Sequence, residues 1–231
     1  MNNHRSLLQL CRMISLLLTL GVSMNACATS TFTWKEEVLL HDGRKIVVER
    51  SDTYDSSLPH EIGQHAPLAE HTTTFAIPDA NRTVIWKSDR RPLSEADGYY
   101  LLALDFLNGV PYAATRPAKC HTYDKWDRPN PPYVFFKYAD GWKPILRGEF
   151  PEQFKINMVV HSLRHEPYKK KVMAENHAYG FVRAQTVAEL NREPGASREF
   201  YVLLRQPMDL FGICPESTGP DGLPIEKRSK Q

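Results

Sequence analysis

The sequence predicts an α+β fold dominated by antiparallel β-sheet hairpins, with one or two short helices near the C-terminus. Three observations lead there. Apolar and polar residues alternate with a period of two through much of the chain, the signature of half-buried strands. Tight-turn pairs, Asp42-Gly43, Asn108-Gly109 and Asp140-Gly141, separate the runs. All 17 prolines lie after residue 58, which bars long helices from the middle of the chain. The 231 residues suffice for one sizeable core, and 10% aromatic content argues against disorder.

Residues 1–26 read as a signal peptide. Arg5 and Arg12 stand without any acid, and residues 13–22 form an apolar run too short to span a bilayer. Small and polar residues close it, up to Ala26-Cys27-Ala28. Two cleavage readings stand. In the favoured one Ala26-Cys27 is a lipobox, Cys27 is the first mature residue and carries the lipid, and Ala28 at the next position favours the outer membrane. In the other, Ala26-Cys27-Ala28 is an A-x-A site and a soluble secreted or periplasmic protein is released after Ala28. Several acyl chains on one residue make a stable anchor, which gives Cys27 a chemical purpose.

The two cations of the signal account for the formal net charge of +2, so the remainder is electrically neutral. A neutral body lacks the basic face that displaces counterions from nucleic acid, so no nucleic-acid partner is expected. With Cys11 lost and Cys27 consumed, Cys120 and Cys214 remain for an oxidising compartment, and a disulfide between them is expected.

Residues 27–205 read as a single β-rich globular domain. Trp34, Glu36, Val38 and Leu40 share one strand face, Asp42-Gly43 supplies a two-residue type I′ turn, and Ile46 and Val48 return. Residues 51–70 read as a polar loop. A second hairpin fits 71–77 and 82–88 around Pro78-Asp79-Ala80-Asn81. The nearly continuous apolar run Tyr99–Leu107 suits a strand buried on both faces or a short buried helix, and Asn108-Gly109 turns it back into Val110–Ala114. Residues 116–132 read as a Pro-rich loop. Tyr133–Tyr138 is a strand by its aromatic content, turned at Asp140-Gly141 into an edge partner, Trp142–Leu146, that tolerates Pro144. Ile156–Val160 reads as a further strand. Tyr168–Asn176 reads as a helix after Pro167, and Thr186–Glu189 as a capping box opening a short helix. Glu199–Arg205 reads as a last strand, and 206–231 as an irregular Pro-rich tail.

Several stretches are similar to known sequences: Trp34-Lys35-Glu36-Glu37-Val38 running into His41-Asp42-Gly43-Arg44-Lys45, then His60-Glu61-Ile62-Gly63-Gln64, Val84-Ile85-Trp86-Lys87-Ser88, and above all Lys125–Tyr138. Together they resemble a family of uncharacterised proteobacterial lipoproteins, over roughly residues 27–205. The resemblance implies a cell-envelope location and supplies no catalytic residues.

Four constellations carry chemistry. His60, Glu61, His65, Glu70 and His71 are nitrogen and oxygen donors of the kind that bind Zn²⁺ or Cu²⁺, but their spacing fits no zinc signature, and a solvated polar loop is the simpler reading. His161 and His165 beside Glu166 meet Pro167 at what is at best a helix entrance. Cys120-His121 with Asp124 has the residue types of a thiol nucleophile, but adjacent residues need not touch, and an exported Cys with one available partner is more often a disulfide. No metal or other cofactor is expected. The fourth is the aromatic segment 123–142, where Trp126, Asp127, Arg128 and Tyr133 form a candidate ligand platform for an envelope protein or glycan. The competing reading packs Trp126 on Pro129, Pro131 and Pro132 to close one end of the sheet.

The phosphate-loop, dinucleotide, nucleophile-elbow and zinc-protease motifs are all absent. No catalytic residues are assigned. The expectation is an exported envelope lipoprotein acting as a non-enzymatic binding or assembly module, held at the membrane by its lipid. The alternative is an envelope hydrolase acting on peptidoglycan, glycan or peptide.

Overall fold

The structure is a computed structural model that describes residues 29–57, 66, 68–89, 98–118, 120–160, 180–192 and 197–208. The signal peptide, Cys27, His60, His65, the 161–176 region and Cys214 lie outside the described residues. Among the described residues nine strands form two sheets: β1 (Thr29–Leu39), β2 (Lys45–Asp55), β3 (Leu68–Ala76), β4 (Thr83–Asp89), β5 (Tyr99–Leu107), β6 (Val110–Pro117), β7 (Val134–Tyr138), β8 (Trp142–Ile145) and β9 (Phe181–Val182). Helices α1 (Cys120–Lys125) and α2 (Ala184–Leu190) are short. The protein is therefore α+β and dominated by antiparallel sheet.

The first sheet has the order β4-β3-β2-β1-β9 and the second β5-β6-β7-β8. Every pairing is antiparallel except that of β1 with β9. Alternation drives the packing. Val38, Val48, Phe75, Val84 and Trp86 point inward from the first sheet and meet Leu101, Leu104, Phe106, Ala113 and Phe136 of the second. The outer face of the first sheet carries exposed residues such as Val47 and Ile85, with the ion pairs Lys45–Glu37 and Lys87–Glu70. The outer face of the second sheet is instead covered. Leu102, Tyr112, Tyr133 and Phe135 pack under Phe150, Phe154, Val160 and Leu203, which explains why β5 is apolar on both faces. A third cluster seats α2 on the first sheet through Trp34, Val159, Val182, Val187 and Leu190.

Several local expectations are corrected. The β1–β2 connection is a three-residue loop, His41-Asp42-Gly43. Leu40 N–H bonds Arg44 O at 2.8 Å, Gly43 N–H bonds Leu40 O at 3.1 Å, and Gly43 has φ +86°. A type I turn followed by one left-handed residue suits Gly43 alone, whereas type I′ needs both central residues left-handed. Asn108 and Gly109, at φ 52° and 75°, do meet the type I′ requirement.

The loop expected over 116–132 contains α1. Ile156–Val160 joins no ladder, because its backbone bonds side chains and Leu102 O instead: Val159 N–H to Glu36 at 2.6 Å, Val160 N–H to Asn191 at 3.1 Å, Met158 N–H to Leu102 O at 3.1 Å. Glu199–Arg205 is not a strand. It contains part of a 3-10 turn, Arg198–Phe200, and loops back through Tyr201. Thr186 is not an N-cap: α2 begins at Ala184, and Thr186 is buried inside it. The parallel strand β9 had no strand signal in the sequence.

Candidate functional site

The segment that follows α1 forms one wall of a groove of about 520 Å³. Helix α1 ends in a Schellman arrangement: Arg128 N–H bonds Tyr123 O at 3.1 Å and Asp127 N–H bonds Asp124 O at 3.0 Å. Asp127 has φ 55°, in the position where glycine is commonest, and Arg128 follows at φ 51°. This reversal turns the chain into Pro129-Asn130-Pro131. Arg128 folds back onto Asp124 at 2.7 Å, with its guanidinium 5.8 Å from the Tyr123 ring centroid.

Trp126 is half-buried. Its indole N–H donates to the Tyr99 hydroxyl at 2.6 Å, and its ring meets Phe136 edge-on at 6.1 Å. It also lines the groove beside Pro129 and Pro131, facing a second wall of Pro144, Ile145 and Leu146. Trp126 is thus anchored to the core through Tyr99 and Phe136 while it borders the groove.

Tyr133 lines the groove floor, but its hydroxyl is committed elsewhere. It donates toward Glu199 O (3.0 Å) and Val202 O (3.2 Å) and accepts Leu204 N–H (3.3 Å). Burial pushes its pKa up to about 12, Glu199 nearby adds to the rise, and the Leu204 N–H opposes it.

Of the four platform residues, the structure brings Trp126 and Tyr133 to the groove, while Asp127 and Arg128 do not line it. The polar groups at the groove are Asn130, Arg147 and Glu149. Asn130 is spent on both backbone groups of Met208, at 2.9 Å each. Glu149 accepts Leu146 N–H at 2.8 Å. Arg147 makes no ion pair among the described residues. Strand β8 is an outer strand of its sheet, and Leu146 beyond it is 76% exposed.

The other constellations separate. Glu70 and His71 are neighbours on β3 and face opposite ways: Glu70 reaches Lys87 at 2.6 Å, while His71 turns inward to Asp52 at 2.6 Å. Among the described residues no three His, Cys, Asp or Glu side chains gather into a metal site. Cys120 is disulfide-bonded, and Cys214, the partner expected for it, lies outside the described residues. Asp124 is occupied by Arg128.

Two polar clusters escaped the sequence reasoning. Glu36 is fully buried and receives Arg50 (2.8 Å), Trp34 Nε1 (3.2 Å) and Val159 N–H (2.6 Å). Arg50 also donates to Val159 O at 2.6 Å and to His71 Nε2 at 3.0 Å, so His71 carries its proton on Nδ1, toward Asp52. The second cluster is His41 with Asp105. Asp105 is buried on β5 and accepts His41 N–H (2.9 Å), His41 Nδ1 (2.8 Å) and Phe106 N–H (2.8 Å).

No protein-family model matches this chain, and neither a curated protein nor a solved structure matches it.

Proposed function

We propose that this protein is an exported bacterial envelope lipoprotein of the family it resembles. Lipid on Cys27 anchors it, at the outer membrane and facing the periplasm, and its body is a non-enzymatic binding module. The groove beside Trp126 grips an extended peptide segment of an envelope partner. The observation that carries the binding reading is Trp126 itself. An indole fixed by Tyr99 and Phe136, bordering a proline-walled groove next to an outer strand, is a rigid aromatic surface of the kind extended peptides dock on. Apolar side chains of the peptide seat against Trp126, Pro131 and Ile145, and an acidic residue meets Arg147. Glu149, the one carboxylate among the described lining residues, already holds Leu146 N–H, which supports binding over hydrolysis.

Two measurements test this. Wild-type protein takes an acyl-chain label and partitions into detergent, and Cys27→Ser abolishes both; unlabelled, aqueous wild type refutes the anchor. Synthetic extended peptides from envelope proteins, titrated against the mature chain, include binders that Leu146→Asp weakens about tenfold without changing the thermal midpoint. Binders indifferent to Leu146→Asp and to Arg147→Glu refute the groove.

A further inference from the structure

We infer a second binding site, independent of the Trp126 groove, in the cleft between the β1–β2 turn, the strand-free segment around Lys155 and helix α2, and that it takes a small amphiphilic carboxylate. The cleft measures about 630 Å³, within the range of sites that enclose small molecules. Its polar side is built around His41. Three N–H groups converge on the buried Asp105 carboxylate and hold it by hydrogen bonds. They also fix the imidazole. Nδ1 is held by Asp105, the ring packs on Phe154 at 5.0 Å between centroids, and Nε2 has no hydrogen-bond partner among the described residues. The His41 side chain is 20% exposed and lines the cleft.

Lys155 lines the same cleft, is exposed, and makes no ion pair among the described residues. With Asp105 held by these donors, the described lining still offers a ligand the Lys155 ammonium, the oriented His41 imidazole edge and the Gln153 amide. The Lys155 ammonium meets a ligand carboxylate as its ion-pair partner, and the His41 Nε2 edge lies along the same cleft. The opposite side is apolar and small-residue-lined, with Ile156, Ala184 and Ala188 leaving room for a hydrocarbon portion. A charged head without a tail leaves that side wet, and a tail without a charge leaves Lys155 and His41 unanswered. The combination of the two defines the ligand class.

The test titrates the mature chain with octanoate, with acetate (head only) and with octanol (tail only), by calorimetry and by the side-chain NMR signals of His41. Octanoate is expected to bind saturably and to move the His41 signals, with acetate and octanol each at least about tenfold weaker. Lys155→Gln, at an exposed position, weakens octanoate about tenfold and leaves octanol unchanged. Ala188→Phe, on the exposed side of α2, weakens both by occluding the apolar wall. Octanoate that does not saturate, that leaves the His41 signals unmoved, that both variants bind as well as wild type, or that octanol matches would overturn the inference.

Discussion

Replacing Arg50 with leucine tests how the interior is held together. Arg50 and Glu36 have side chains only 5% and 0% exposed, so both charges have left water and each depends on the other. In Arg50→Leu the Glu36 carboxylate keeps Trp34 Nε1 and Val159 N–H but loses its one charged partner among the described residues. Breaking a buried ion pair from one side typically costs about 3–5 kcal/mol, because an uncompensated charge stays behind. Val159 O and His71 Nε2 each lose the Arg50 donor as well, which adds to the cost. Against a domain margin of about 5–15 kcal/mol this is a large loss, and for a chain of this size it lowers the thermal midpoint by roughly 6–20 °C.

The assay is urea unfolding followed by circular dichroism, with the double variant Glu36→Leu/Arg50→Leu beside the single. Removing both members leaves neither charge of this pair buried without the other, so the double variant is expected to be clearly more stable than Arg50→Leu alone. Two results refute the reasoning. One is an Arg50→Leu variant within about 1 kcal/mol of wild type, which means the site hydrates or relaxes. The other is a double variant no better than the single, which means the charge is not what costs.

Three further outcomes are expected. Tyr133 has its pKa raised to about 12, above its unfolded value near 10, so its contribution to stability is complete below about pH 10 and fades as pH rises toward 12; alkaline unfolding of Tyr133→Phe should lack part of that loss, and at neutral pH the variant should cost about 1–3 kcal/mol for the hydrogen bonds given up. Trp126→Ala should cost about 3 kcal/mol in thermal unfolding, because the half-buried ring packs on Phe136 and ties to Tyr99, and an unchanged midpoint would mean the anchoring contacts carry nothing. In the exported protein, peptide mapping should find Cys120 linked to Cys214, and two freely alkylatable thiols would refute that pairing.

What could be read from the sequence was whatever has a local period or a local turn. The hairpins were legible because Val38, Val48, Phe75 and Val84 alternate, and Asn108-Gly109 and Asp140-Gly141 punctuate them. Glu36 was visibly on the inward face with Trp34 and Val38, a charge where a hydrophobe belongs, and that was the available signal for the buried cluster. Its partner Arg50 lies 14 residues away, and His41 lies 64 from Asp105, so only the folded register joins them. Helix α1 was hidden because its residues are mediocre helix formers between Pro117 and Pro129, and its stop signal uses Asp127 where glycine would have marked it. Trp126 and Tyr133 could be singled out by composition. That Tyr133 spends its hydroxyl on the chain around residues 199–204 could not, because those acceptors are backbone groups with no sequence signature.

Ile156–Val160 shows why residue type alone misled. Its β-branched residues have strand character, yet its backbone partners are mostly side chains. Asn191 takes Val160 N–H and gives to Met158 O at 2.7 Å, Glu36 and Arg50 take both polar groups of Val159, and Leu102 O accepts two N–H groups. Asn157 adds a cross-brace, donating to Leu39 O of the first sheet and to Leu104 O of the second. A ladder bond survives any substitution that keeps the backbone; a bond to a side chain does not. This segment therefore depends on the identity of Glu36, Arg50, Asn157 and Asn191 in a way that no strand does. The dependence reaches the His41 cleft, because the residues immediately before this segment, Phe154 and Lys155, pack on the His41 ring and line the cleft. Loosening Arg50 should therefore disturb the His41 cleft. The Trp126 groove, built on β7, β8 and the turn after α1, has no member of this network in its walls and should be left nearly as it was. Octanoate binding and peptide binding measured on Arg50→Leu, at a temperature where it remains folded, separate the two: a selective loss of octanoate binding is expected, and an equal loss of both would show that the segment and the groove are one cooperative unit.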